Sequence, residues 1–292
     1  MSPVKDAHQV PQTSLPHTWT NVPTSSVDVG GTVFVYRELG PPGGVPVIFL
    51  NHLYAELDRW DPRVVDGIAA ERRVIVFDNR GVGASEGTTP NSVEAMARDA
   101  IAFIRALGLE RVDLFGFSLG GFISQVIVLE EPQLVRKMIL AGTGPAGGVG
   151  IDKVTGVMIR DVIRGTLTFK HPEYYLFFTG SANGRKAARD FLQRLDERTD
   201  DRDKAVSPLA LISQLKAISA WGRQASADLS RIGHPVLVAN GDQDKMVPSS
   251  NSVDLARRLP DAELLLYEDA GHGGIFQYHE QFVPKALAFL RG

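Results

Sequence analysis

Six short apolar runs constrain this chain more than any other feature. "VPVIFLNH", "RRVIVFDNR", "RVDLFGFS", "VRKMILAGT", "HPVLVANGD" and, more weakly, "AELLLYED" lack the polar–apolar alternation of a half-exposed strand. A strand that reads as continuously apolar is buried on both faces, which points to a parallel sheet covered on two sides. Helical periodicity falls between several of these runs. In "NSVEAMARDAIAFIRALGL" the apolar residues Val93, Ala97, Ile101, Ile104 and Leu107 share one helix face, Asn91 with Glu94 offers an N-cap and Gly108 a stop. Upstream, "SVDVGGTVFVYREL" reads as a β-hairpin turning at Gly30-Gly31. The expected class is α/β: a mostly parallel central sheet with helices on both faces.

The alternation stops between about Gly144 and Ser226. There "VTGVMIRDVIRGTLTF", "RKAARDFLQRLDER" and "PLALISQLKAISAW" read as helices with no strand between them, the last with a stripe of Leu211/Ile212, Leu215, Ile218 and Trp221. This predicts a helical cap (lid) over residues 145–225, inserted after the sixth strand into a core domain of residues 27–144 and 226–292. Residues 1–26, rich in Pro, Ser and Thr, read as a loosely held N-terminal arm with no apolar signal segment. No apolar run is long enough to span a membrane. With a formal charge of -3, no strong basic patch favours nucleic acid or an anionic membrane. The expectation is a cytoplasmic protein whose partner is a small-molecule substrate, with no nucleic-acid or membrane partner; oligomeric state is not legible.

The absence of cysteine removes thiol nucleophiles, disulfides and thiolate metal sites together. What remains is a serine. "LFGFSLGGF" places Ser118 between Gly116 and Gly120, where an apolar strand hands over to the helical "GFISQVIVL". G-x-S-x-G in that context is a sharp turn that lifts a hydroxyl above a sheet, with glycines where chain and helix pack too closely for a Cβ. Serine needs a base, and the base an orienting acid. "VLVANGDQDKMVP" offers Asp244, with Asp242 as a rival, and "LLLYEDAGHGG" offers His272, with His279 a rival placed where the last helix should already run. Both candidates follow buried strands, where open α/β sheets bind ligands. The amide of Leu119, at the following helix's N-terminus, points where an oxyanion would form.

From Ser26 to Gly292 the chain resembles the α/β-hydrolase superfamily. "FDNRGVGAS" is similar to its D-x-R-G-x-G-x-S turn, "GDQDKMVP" to its acid loop, and "NHLYAELDRW" to its oxyanion loop. The resemblance implies a triad of Ser118, Asp244 and His272 and an oxyanion hole formed by the amides of Tyr54 and Leu119. One departure is Leu53, where the family usually has glycine, and leucine restricts that backbone and narrows the acyl pocket.

Other features have plainer readings. His52 shapes its loop. Asp78 and Arg80 hold their own turn. "DERTDDRD" lacks calcium-loop spacing and reads as a solvated edge of the lid. "EYYLFF" is read equally as lid core or as the mouth of an apolar pocket. No metal or nucleotide motif occurs, so no cofactor is expected. The function expected is a serine hydrolase, a carboxylesterase for small to medium esters with an apolar acyl or aryl part, since the lid shows no charged cradle for phosphate, thioester cofactor or peptide terminus. Perhydrolase or haloperoxidase activity, C–C bond or lactone hydrolysis with the same triad, and a non-catalytic small-molecule receptor are the alternatives.

Overall fold

The structure is a computed structural model, described here for residues 17–292. Eight strands form one sheet: β1 (Ser25–Asp28), β2 (Val33–Leu39), β3 (Val47–Leu50), β4 (Val74–Phe77), β5 (Val112–Phe117), β6 (Val135–Ala141), β7 (Val236–Gly241) and β8 (Ala262–Tyr267). Their order is β1-β2-β4-β3-β5-β6-β7-β8. β2 pairs antiparallel with β1 and β4, and every other pair is parallel. β3 through β7 are buried along their whole length, apart from Arg136 in β6, which is why their sequences do not alternate. β8 lies at the edge and is half-exposed, matching its weaker signal.

Helices cover both faces. α2 (Val93–Ala106), α3 (Leu119–Glu130) and α8 (Ser250–Arg258) enclose one core, and α1 (Pro62–Ala69), α9 (Gly274–Gln277) and α10 (His279–Arg291) enclose the other. The N-cap of α2 is Ser92, whose hydroxyl accepts from Ala95 N–H at 3.3 Å, one residue later than the expected Asn91. Strand order reverses between β3 and β5, because the chain runs from β3 outward to β4 and then returns to the other side of β3. Loops leaving those two strands diverge and open a crevice, the usual ligand position in such sheets.

Between β6 and β7 come α4 (Val154–Thr168), α5 (Glu173–Leu176), α6 (Ala182–Leu195) and α7 (Pro208–Arg223), with no strand among them. α7 docks on α3 through Trp221, stacked on Phe122 at 5.5 Å. Its buried face is Ala210, Gln214, Ala217, Ile218 and Trp221, while Ile212 of the expected stripe is exposed. The helix is thus rotated relative to its apolar stripe, and a glutamine lies fully buried.

One expectation needs correction and another refinement. Residues 1–16 of the N-terminal arm lie outside the described residues, but the remainder is not loose: Trp19 and Val22 are buried against α1 and its neighbours and anchor an otherwise mostly exposed segment. The charged run 196–203 is mostly exposed, as expected of a solvated edge, yet it is tied down at three points. Arg198 is buried and donates to Trp19 O, Asp201 accepts from Thr24 N–H, and Asp203 N–H donates to Asp58. Asp58 in turn is ion-paired with the fully buried Arg37, and that opposite charge offsets the burial of its carboxylate.

Candidate active site

Ser118 directly follows β5 with φ 54° and ψ -114°, a conformation that costs a side-chain-bearing residue about 1–3 kcal/mol. Surrounding bonds impose it: Ser118 N–H donates to Ala141 O at 2.8 Å, and Thr143 Oγ1 donates to Ser118 O at 2.8 Å. A Cβ on Gly116 would collide with the Gly120 carbonyl, and one on Gly120 with the Leu50 carbonyl, so α3 can cross β3 and β5 this closely only with glycine there. Leu119 opens α3, whose N-terminal amides carry partial positive charge beside the serine.

Asp244 lies three residues past β7 and His272 five past β8. His272 Nδ1 is 2.7 Å from Asp244 Oδ2, with both side chains buried. The second carboxylate oxygen, Oδ1, accepts from Met246 N–H at 2.8 Å and Val247 N–H at 3.0 Å, which locks the carboxylate's rotation. A carboxylate partner holds the Nδ1 proton, so Nε2 of neutral His272 is left with a lone pair. The rivals are elsewhere: Asp242 Oδ1 accepts from Ala270 N–H at 3.3 Å, and His279 begins α10. Arg80 differs from expectation, since its Nε binds Asp99 of α2 at 2.9 Å rather than its own turn.

Ser118, His272 and Tyr54 line one cavity of about 410 Å³. Most of its wall is apolar: Met158, Ile159, Val162 and Ile163 of α4, Leu211 of α7, and Leu176. The "EYYLFF" run does both things expected of it, for Tyr174 and Phe178 are core while Leu176 and Phe177 face the cavity. A larger cavity of about 620 Å³ is lined by His17, Glu38 and Asp66 among others, but among the described residues its histidine makes no hydrogen bond to either carboxylate.

Three features were not anticipated. Tyr54, at φ 60°, gives its amide hydrogen to Gln214 Oε1 of α7 at 2.8 Å, so the expected oxyanion donor already has an acceptor. The cavity also has a charged end, contrary to the absence expected of the lid: Arg59 Nη2 lies 2.6 Å from Glu173 Oε2 and 3.1 Å from His171 Nε2. Burial lowers the His171 pKa, whereas Glu173 holds the Arg59 guanidinium above its ordinary value against the opposing effect of burial. Finally, His52 donates from Nδ1 to Leu53 O at 3.0 Å, and burial pushes its pKa down to about 4. Its loop role thus agrees with the sequence reading, but it also lines the cavity. No cluster of three or more metal-ligating side chains occurs among the described residues. None of the described helices is long and apolar enough to cross a membrane.

A doubly covered sheet with a strained serine turn after its fifth strand and a buried Asp–His pair after its last two defines a class. The chain belongs to the alpha/beta hydrolase fold family, whose sequence profile matches residues 45–277. It is similar to an alpha/beta hydrolase fold protein from Chitinophaga pinensis at a TM-score of 0.88 and 40% identity, over 94% of this chain and 99% of that one. A non-heme chloroperoxidase of Streptomyces lividans is 27% identical over 275 residues, 89% of this chain and 97% of that one. The dihydrolipoyllysine-residue acetyltransferase component of an acetoin cleaving system from Pseudomonas putida is 29% identical over 271 residues, 90% of this chain and 68% of that one.

Proposed function

We propose that this protein is a serine hydrolase, specifically a carboxylesterase for small to medium esters whose acyl or aryl part is apolar. The observation that carries the reading is the buried 2.7 Å contact between His272 Nδ1 and Asp244 Oδ2, in a ring that shares its cavity with Ser118. In this mechanism Ser118 Oγ attacks the ester carbonyl while His272 Nε2 takes the hydroxyl proton. The tetrahedral oxyanion is held by the Leu119 amide at the head of α3, joined by the Tyr54 amide once Gln214 yields it. His272 then returns the proton to the leaving alcohol, and the acyl group stays on Ser118. Water attacks that acyl-enzyme, its proton passes to Nε2, and the acid departs as Ser118 is restored. Asp244 stabilises the imidazolium in both halves. No step calls for a metal or cofactor. The apolar wall from α4 and Leu211 supports an apolar acyl or aryl part.

Treating the protein with a fluorophosphonate and locating the adduct by mass spectrometry tests the reading. Labelling of Ser118, and turnover of p-nitrophenyl esters that Ser118→Ala abolishes, are expected; no adduct on Ser118 would overturn it. Similarity to the chloroperoxidase of Streptomyces lividans supports a second reading, in which hydrogen peroxide replaces water on the acyl-enzyme and releases a peroxy acid that oxidises halide. Halide oxidation that requires peroxide and a carboxylic acid together identifies it.

A further inference from the structure

One end of the reaction cavity carries hydrogen-bonding capacity that the hydrolytic steps leave unused. His52 lines the cavity, is 3% exposed, and spends its Nδ1 proton on Leu53 O. Its Nε2 is therefore an unprotonated acceptor, and it is buried with no partner among the described residues. Such an atom in a folded protein calls for an explanation, because an unpaired buried acceptor is destabilising. Arg59 lines the same cavity. Its Nη2 meets Glu173 and His171, while Nε and Nη1 have no acceptor among the described residues. The pole thus combines two buried acceptors without a hydrogen bond among the described residues, His52 Nε2 and Glu173 Oε2, with vacant donors on Arg59, whose full positive charge is balanced by Glu173 at 2.6 Å.

We propose that this pole is a recognition subsite for a hydroxyl group on the substrate, donated to His52 Nε2 and accepting from Arg59; the proposal rests on the ester-hydrolase reading of the same cavity. A hydroxyl is the simplest group that both donates and accepts. An alkyl end leaves both protein groups unpaired. A carboxylate has no proton for Nε2 and brings a second negative charge beside Glu173. The substrate class is accordingly a hydroxy-ester: an apolar chain against α4 and Leu211, the scissile carbonyl at Ser118, and a hydroxyl reaching Arg59 and His52.

The test compares esters in matched pairs, such as p-nitrophenyl 6-hydroxyhexanoate against hexanoate and 8-hydroxyoctanoate against octanoate. A second set puts the hydroxyl on the alcohol, as in 6-hydroxyhexyl against hexyl acetate. Hydrogen bonds to a charged group predict about a tenfold or greater advantage in kcat/KM for the hydroxylated member of at least one pair. In the Arg59→Met/Glu173→Gln double variant that ratio should collapse, and Arg59→Lys should keep part of it. Using the ratio cancels any loss common to both substrates. No preference in any pair, or a preference that survives in the double variant, overturns the subsite. Calorimetric binding of 7-hydroxyheptan-2-one and heptan-2-one to Ser118→Ala reads the pole without chemistry. If fluorophosphonate labelling fails yet the hydroxyketone binds at least several-fold tighter, the hydrolase reading falls and the subsite stands. If labelling succeeds and the two ketones bind equally, the subsite falls and the hydrolase reading stands.

Discussion

Replacing Asp244 with Asn changes almost no volume and should still disable the base. The two oxygens of Asp244 have different partners: Oδ1 accepts from the Met246 and Val247 amides, and Oδ2 faces His272 Nδ1. In Asp244→Asn the side-chain oxygen stays with the two amides, because turning it away strands two buried donors at about 1–3 kcal/mol each. The new NH₂ group then faces Nδ1, and two donors cannot share that contact. His272 must move its proton to Nε2, the atom that would accept from Ser118. Loss of the correct tautomer costs about 10⁴-fold in kcat, or about 5.5 kcal/mol of transition-state stabilisation. Steady-state hydrolysis of p-nitrophenyl butyrate, with circular dichroism melting to show the variant folded, measures it. Asp242→Asn is the control and should stay close to wild type. A folded Asp244→Asn protein within tenfold of wild-type kcat would refute the claim that this carboxylate sets the tautomer.

Three other outcomes follow from contacts already described. Gly120→Ala drives a Cβ into the Leu50 carbonyl, a backbone atom that cannot rotate away, so urea unfolding should show at least about 3 kcal/mol lost. Gln214→Met removes the acceptor on the Tyr54 amide and should raise kcat/KM on small esters by about two- to tenfold, the worth of one net hydrogen bond; a fall would show that the carboxamide positions that amide instead. Burial and the neighbouring Asp58 push the Glu56 carboxyl up to about 7. Its folded form therefore binds a proton more tightly than its unfolded form, and the Glu56 contribution to stability is lost as pH rises from about 4.5 to 7. Burial and the Asp203 carboxyl raise Asp78 in the same sense. His52, pushed down to about 4, contributes the opposite slope over nearly the same window, so the readout is differential: in thermal melts Glu56→Gln should make stability rise more steeply with pH than wild type does.

The sheet was legible because strands buried on both faces leave a mark in every residue, as in "VIVF" and "VLVANG". Ser118 was legible for a different reason: its strained turn demands glycines at fixed offsets, and those glycines are visible in the chain. Spacing also favoured Asp244 over Asp242, and Asp244 is the one that contacts His272. What the sequence could not carry were contacts decided by how distant elements face one another. Gln214 sits inside an apolar stripe, and nothing local says that α7 turns it inward onto Tyr54. The run "DERTDDRD" is mostly solvated, as it reads, but nothing local shows that Asp201 meets Arg37 and Thr24, 164 and 177 residues away. Arg59 likewise gains its meaning only beside Glu173 of α5. A buried polar residue whose partner comes from another element leaves little trace in its own neighbourhood.

The ties of residues 196–203 to Trp19, Thr24 and Asp58 have a mechanical consequence for the chamber above Ser118. They rivet the strap between α6 and α7 to the body of the molecule. α4 is held differently: among the described residues its ion pair is internal, Arg160 with Asp161, and its polar ties run to Tyr175 of α5, through the Thr168 hydroxyl at 2.9 Å and Arg164 over the ring at 4.1 Å. The width of the mouth is therefore set by how α4 seats on Tyr175, and a change at that seat should alter which guests enter by girth without touching the reacting atoms.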